Sequence, residues 1–324
     1  MERLRHDDPP HTGPHITLAR LDAESEQTVP ARRFIARSTD GDRTFLAFLP
    51  RTDVDPTRWA IEAEGARRLS IPGFLSVGEV GGTADLPWCT APYVPALPLP
   101  AALRAHGGPL PEPAVRALGA SLARTLSTAH TLGVTHAGLS PAAVLLTTEG
   151  ALLGCFGAVR AAAPDGMRRS GLPGLDSGSL APEQASGGRP RPLGDVYALG
   201  AVLAYAVTGH TVPERDELPP FLRELIPACL SRDPERRPQA HQVLTHLESH
   251  PETRPVSRPE THPVSHPVSH PVSHPEPAAR TAAHRATVLD AAAPIPLPAP
   301  VVAALARQSA QVLAAELPAP ASLD

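Results

Sequence analysis

Ala181-Pro182-Glu183-Gln184-Ala185-Ser186-Gly187-Gly188-Arg189-Pro190-Arg191-Pro192-Leu193-Gly194-Asp195-Val196-Tyr197-Ala198-Leu199-Gly200 is the stretch on which the reading of this chain turns. A turn broken by proline and glycine leads into an apolar run, Val196 to Val207, within helical spacing that extends from Leu193 to Thr208. That run is too short to span a bilayer, so it predicts a buried helix. Outward from it, helical spacing recurs at Glu112 to Thr131, Pro219 to Ser231 and Gln239 to Leu247, with Gly133, Gly209 and the intervening prolines as breaks. Upstream, between Ile16 and Val94, alternating runs such as Ile16-Thr17-Leu18 and Phe45 to Leu49 predict strands around one helix at Arg58 to Leu69. A small sheet-rich part followed by a larger helical part is an α+β order.

The chain has 324 residues, 42% of them apolar, which is enough for a buried core. Its 41 prolines mean that part of it forms neither regular helix nor strand. It contains no lysine and no asparagine, so all 29 basic residues are arginine, a bias that fits a GC-rich bacterial genome. A formal net charge of -4 gives no basic field for nucleic acid or an anionic membrane, and neither is expected as a partner. Cys89, Cys155 and Cys229 have no paired spacing and fit a reducing cytoplasm rather than disulfides or zinc. Met1 to Pro10 lacks the apolar core of a signal peptide. Residues 1–15, rich in His, Pro and Asp, are expected to be disordered.

Composition shifts near Ser249. Residues 249–299 form a Pro/His/Ser-rich linker, a disordered tail with three copies of His-Pro-Val-Ser from His262 to Ser273. In polyproline geometry His262, His266, His270 and His274 would stand about 12 Å apart, too far to share one ion. Val301, Val302, Leu305, Val312, Leu313 and Leu317 then fall at helical spacing and predict an amphipathic helix over 300–317, which docks on its own domain or on another protein, before a tail at 318–324.

Ala181-Pro182-Glu183, then Gly194 to Gly200, then Cys229-Leu230-Ser231-Arg232-Asp233-Pro234-Glu235-Arg236-Arg237-Pro238 resemble, in order and spacing, a bacterial serine/threonine protein kinase domain. The resemblance runs from about Ile16 to Leu247 and is most specific in its second half. It implies a two-lobed protein-kinase-like fold, with a small β-rich N-lobe at 16–95 and a larger helical C-lobe at 96–248. It also implies that Glu183 pairs with Arg237 and that Asp195 holds the catalytic-loop backbone. A bidentate, partly buried carboxylate–guanidinium bond suits such a strut, because breaking it strands a charge. His136 and Phe156, beside Gly157, match an apolar stack that joins the lobes, and Glu62 matches the usual partner of the phosphate-binding lysine. Ala91 to Pro95 resembles the hinge, where the Pro92 C=O and Val94 N–H would meet an adenine edge.

The reactive positions depart from the family. His136-Ala137-Gly138 stands for His-Arg-Asp, Ser140 for the loop lysine, Ala143 for the metal-binding asparagine, Cys155-Phe156-Gly157 for Asp-Phe-Gly, and Phe48 for the phosphate lysine. There is no glycine between Gly13 and Gly41; Asp22, Glu24 and Glu26 occupy the glycine-loop region. These losses predict a pseudokinase: no catalytic residue, no metal, no cofactor beyond ATP held without metal, and a role as scaffold or allosteric partner of an active kinase or signalling protein. Two alternatives stand beside it. One is a divergent active serine/threonine kinase with Arg32, Arg33 or Arg43 on phosphate and Asp165 or Asp176 on metal. The other is a protein that acts through its tail. Met167-Arg168-Arg169-Ser170 resembles a basic phosphorylation site, and Ser170, Ser177 and Ser179 are regulatory candidates whose phosphate would pair with those arginines.

Overall fold

A computed structural model describes residues 2–22, 28–249 and 294–315. Glu24, Glu26, most of the Pro/His/Ser-rich linker with its four histidines, and 318–324 lie outside the described residues.

The upper lobe is an antiparallel sheet of β1 (His11–Thr12), β2 (His15–Arg20), β3 (Ala31–Arg37), β4 (Thr44–Pro50), β5 (Val80–Gly82) and β6 (Pro87–Pro92), in the order β1-β2-β3-β4-β6-β5. One helix, α1 (Pro56–Arg67), accompanies it. α1 begins where Asp55 accepts the Arg58 N–H at 3.0 Å and proline occupies the first turn, both ordinary start signals. Along β3, Arg33 to Ala36 are all buried, with Arg33 and Ile35 on one face and Phe34 and Ala36 on the other. The expectation of disorder over 1–15 is corrected. Glu2 pairs with Arg20, and the carboxylate of Asp8 takes Arg20 at 2.9 Å and Arg32 at 3.2 Å, so charge pairing supplies what apolar burial lacks.

The chain passes through β7 (Leu97–Pro98) and α2 (Leu99–His106) into α3 (Glu112–Thr131), whose limits match the expected helix. β8 (Val144–Thr147) and β9 (Gly150–Leu153) form a hairpin that pairs with β7. Then follow α4 (Ala158–Ala162), α5 (Pro182–Ala185), α6 (Pro192–Thr208), α7 (Leu225–Cys229) and α8 (Ala240–Glu248). α6 is the buried helix anticipated from its apolar run, and it ends at Gly209, whose φ of 85° a side chain would strain. α3 packs on both α6 and α8 to make the lower core. The single helix expected over Pro219–Ser231 is instead a 3-10 turn at Pro220–Leu222 followed by α7. Pro219, Pro220 and Pro227 remove the N–H groups that a continuous helix needs.

α9 (Ala299–Ala314) returns to its own domain and packs against α2. Val301 and Leu305 join the lower-lobe core, and Val312 joins the upper cluster. Each of these fully buried side chains contributes roughly 1.5–3 kcal/mol.

Candidate active site

The frame around the interlobe cleft is assembled from charge pairs. Arg237 Nη1 and Nη2 donate to the two Glu183 oxygens at 2.7 and 2.8 Å, and its other N–H groups reach the Ser231 and Leu193 carbonyls. Asp195, on buried α6, accepts the backbone N–H groups of His136 and Ala137, both at 2.8 Å, and contacts His130 at 3.0 Å. That grip holds Ala137 at a φ of 52°, a conformation non-glycine residues rarely adopt. Phe74, His136 and Phe156 form an aromatic stack, with the His136 ring 5.1 Å from Phe74 and 6.0 Å from Phe156. Burial, the main effect, lowers the His136 pKa to about 4, and the ring is neutral at pH 7.

Around that frame the reactive positions are differently filled. Phe48 is buried beside Trp59, Glu62, Cys155 and Phe156 around a cavity of about 80 Å³. With no lysine at that position, Glu62 pairs instead with Arg160 of α4, whose Nε lies 2.9 Å from both carboxylate oxygens and whose guanidinium covers the Phe156 ring. No sequence motif marks Arg160, which lies 98 residues from Glu62. Gly138 packs so closely on the loop after β9 that a Cβ there would collide with the Cys155 carbonyl oxygen. Ala143 offers no ligand atom. Burial raises the Cys155 thiol pKa, keeping it protonated at neutral pH. Residues at these positions do not fit magnesium, which takes hard oxygen donors, and no group of three His, Cys, Asp or Glu side chains gathers as a metal site among the described residues.

Charged groups do enter the cleft from elsewhere. Arg33 of β3 projects down with its side chain 1% exposed and forms a two-pronged pair with Asp22, which stands where the glycine loop would begin. Its Nη1 donates to the Ala142 carbonyl at 2.8 Å, tying the upper lobe to the loop that holds Gly138 and Ser140. Asp176 lines a small cavity with Gly138, Ser140 and Ser179, its Oδ1 held by the Gly178 and Ser179 N–H groups at 2.8 and 3.1 Å. The other candidates are placed elsewhere: Arg32 pairs with Asp8, Arg43 covers the Phe45 ring, and Asp165 pairs with Arg169.

Pro92 and Val94 border a groove of about 360 Å³ that also includes Phe74, Arg124 and Leu152. Beside the cleft, Leu21, Leu46, Ala91 and Leu145 belong to one buried cluster. Among the serines, Ser170 and Ser177 are exposed while Ser179 is buried, so Ser179 is not presented for modification. Arg169 is fully buried and donates to the Ala163 and Gly188 carbonyls, which leaves Arg168 as the arginine a phosphate at Ser170 would meet.

A two-lobed shell with these struts and this aromatic stack defines a protein kinase domain. No family model matches the chain. It is 32% identical over 270 residues to the probable serine/threonine-protein kinase PkwA of Thermomonospora curvata, covering 77% of this chain and 36% of that protein. It is 30% identical over 262 residues to the serine/threonine-protein kinase AfsK of Streptomyces coelicolor, covering 74% of this chain and 32% of that protein. The chain thus spans about a third of the length of these relatives. The PknI kinase domain of Mycobacterium tuberculosis superposes with a TM-score of 0.55 at 20% identity, covering 74% of this chain and 96% of that one, which shows the shared fold. The chain belongs to the bacterial serine/threonine protein kinase domain family.

These relatives overturn the expectation of a pseudokinase scaffold that is no enzyme. They are named as serine/threonine-protein kinases, and nothing in the comparisons indicates catalytic inactivity. That expectation rested on the substituted reactive positions and the missing glycine loop, and it ranked the active kinase with charged groups from other elements second. Among the described residues, no helix is long and apolar enough to cross a membrane.

Proposed function

We propose that the chain is a divergent serine/threonine protein kinase domain that transfers a phosphoryl group from ATP to a hydroxyl of a protein partner in the cytoplasm. The observation that carries this reading is its likeness, over about three quarters of its length, to relatives named as such kinases. The cleft supplies two groups with suitable chemistry. Arg33 is a permanent cation whose fork matches phosphate oxygens, and it takes the role lysine has in the family. Asp176, beside Gly138, is the carboxylate placed to receive the acceptor proton.

In this scheme the acceptor oxygen bonds to the γ-phosphorus, and the bond from that phosphorus to its bridging oxygen breaks. ADP departs with the bridging oxygen, and the acceptor proton passes to Asp176. A polyphosphate on Arg33 displaces Asp22 from the guanidinium, so the observed pair is the resting arrangement.

The purified chain of residues 1–324, given γ-labelled ATP, magnesium or manganese and a generic protein substrate, tests the proposal. Transfer is expected, and Arg33→Met and Asp176→Asn should each lower it by at least about a hundredfold. Absence of transfer, or transfer indifferent to both substitutions, overturns it.

A further inference from the structure

α9 does more than complete the lower core. Its polar contact falls on the segment joining the lobes: buried Gln308 accepts the Ala96 N–H at 2.9 Å and donates to the Ala96 C=O at 3.0 Å. One acceptor and one donor side by side is also what adenine presents along the edge carrying N7 and the N6 amino group. One turn further on, Val312 enters the buried cluster that contains Leu21, Leu46, Ala91 and Leu145. The end of the helix is then held from above. Arg37 of β3 donates to the Ala315 carbonyl at 2.7 Å and also to the Val312 carbonyl, satisfying carbonyls that a helix end leaves without partners. Behind these contacts, Val301 and Leu305 anchor the helix in the lower lobe. A single helix therefore grips the lower lobe, the connecting segment and the upper lobe in sequence.

We propose that α9 is an intramolecular strap that closes the cleft on the hinge side and competes with nucleotide, the Gln308 amide occupying a backbone edge as a base would. This rests on the kinase reading and gives that activity a resting state. The strap holds the lobes together while Arg33 and Asp22 close the cleft from within. Nucleotide enters when α9 leaves, and α9 returns when nucleotide departs.

The full chain carrying Gln308→Ala with Val312→Asp tests the strap, with Leu313→Asp as control because Leu313 is 82% exposed on the same helix. Hydrogen exchange reads α9 and residues 92–97, a fluorescent ATP analogue reads affinity, and labelled ATP reads transfer. The double variant should exchange α9 amides faster and bind nucleotide at least about tenfold more tightly, since a competing closed state no longer dilutes the competent one. The control should match the native chain.

Released α9 with unchanged nucleotide affinity overturns the strap, as does saturating nucleotide that leaves native α9 fully protected. Transfer at equal rates by native and released chains removes the strap and leaves the kinase reading intact. No nucleotide binding even after release removes both.

Discussion

Two buried arginine–carboxylate pairs hold this molecule together, and they differ in what they connect. Arg237 and Glu183 join two parts of the lower lobe, where the guanidinium is fully buried and the carboxylate is 33% exposed. Arg33 and Asp22 lie between the lobes, at 1% and 8% exposure, with a further bond from Arg33 to the Ala142 carbonyl. The first pair keeps the segment before α6 in place. The second stands in the cleft itself, where a phosphate could exchange for its carboxylate. Similar chemistry is a strut in one place and, in the proposed scheme, a phosphate site in the other.

The largest expected effect separates these roles. Arg33→Met should cost about 3–5 kcal/mol in urea unfolding because it strands buried Asp22, and Arg237→Ala should cost less, about 1–3 kcal/mol, because Glu183 keeps partial access to water. Adding Asp22→Leu to Arg33→Met should recover most of that loss while abolishing transfer. Failure of the double variant to recover stability would mean that Arg33 is held mainly by the Ala142 carbonyl.

Next comes pH. Burial depresses the folded His136 pKa from its ordinary 6.5 to about 4, so its neutral form favours the folded state. That contribution is fully present above about pH 6.5 and is lost as pH falls toward 4, amounting to a few kcal/mol by linkage. His136→Leu should flatten the stability profile across that window, as read by denaturation at a series of pH values.

A smaller effect is expected at the catalytic loop. Restoring the family carboxylate with Gly138→Asp should not raise transfer and should destabilise by about 1–3 kcal/mol, since the Cys155 carbonyl occupies the space of the new Cβ. A gain in transfer from that variant would show that the loop after β9 moves aside easily.

The lower-lobe pair was legible from sequence and the cleft pair was not, for physical reasons. Glu183, Asp195 and Arg237 sit in short motifs whose partners are fixed by fold, and α3 and α6 carry helical periodicity strong enough to set their limits within a residue. Arg32 and Arg33 are adjacent and alike in sequence, so nothing local tells which of them faces the cleft. Only their opposite directions on the strand separate Arg32, 25% exposed, from buried Arg33. Glu62, without the lysine that partners it in the family, is held at 16% exposure by Arg160 from 98 residues away. The order of residues 2–12 depends on Asp8 finding two arginines across the sheet, a pairing that local composition does not encode. Where partners are distant and no motif ties them, sequence shows the charge and not its counter-charge.

Single-turnover transfer from γ-labelled ATP, compared among the native full chain, Arg33→Met and Arg33→Lys, tests the central claim most directly. ADP formation coupled to phosphoprotein is expected in the native chain, with loss in Arg33→Met and partial return in Arg33→Lys, where a point charge replaces the fork. Equal transfer by the native chain and Arg33→Met, or none by any of the three, would contradict it.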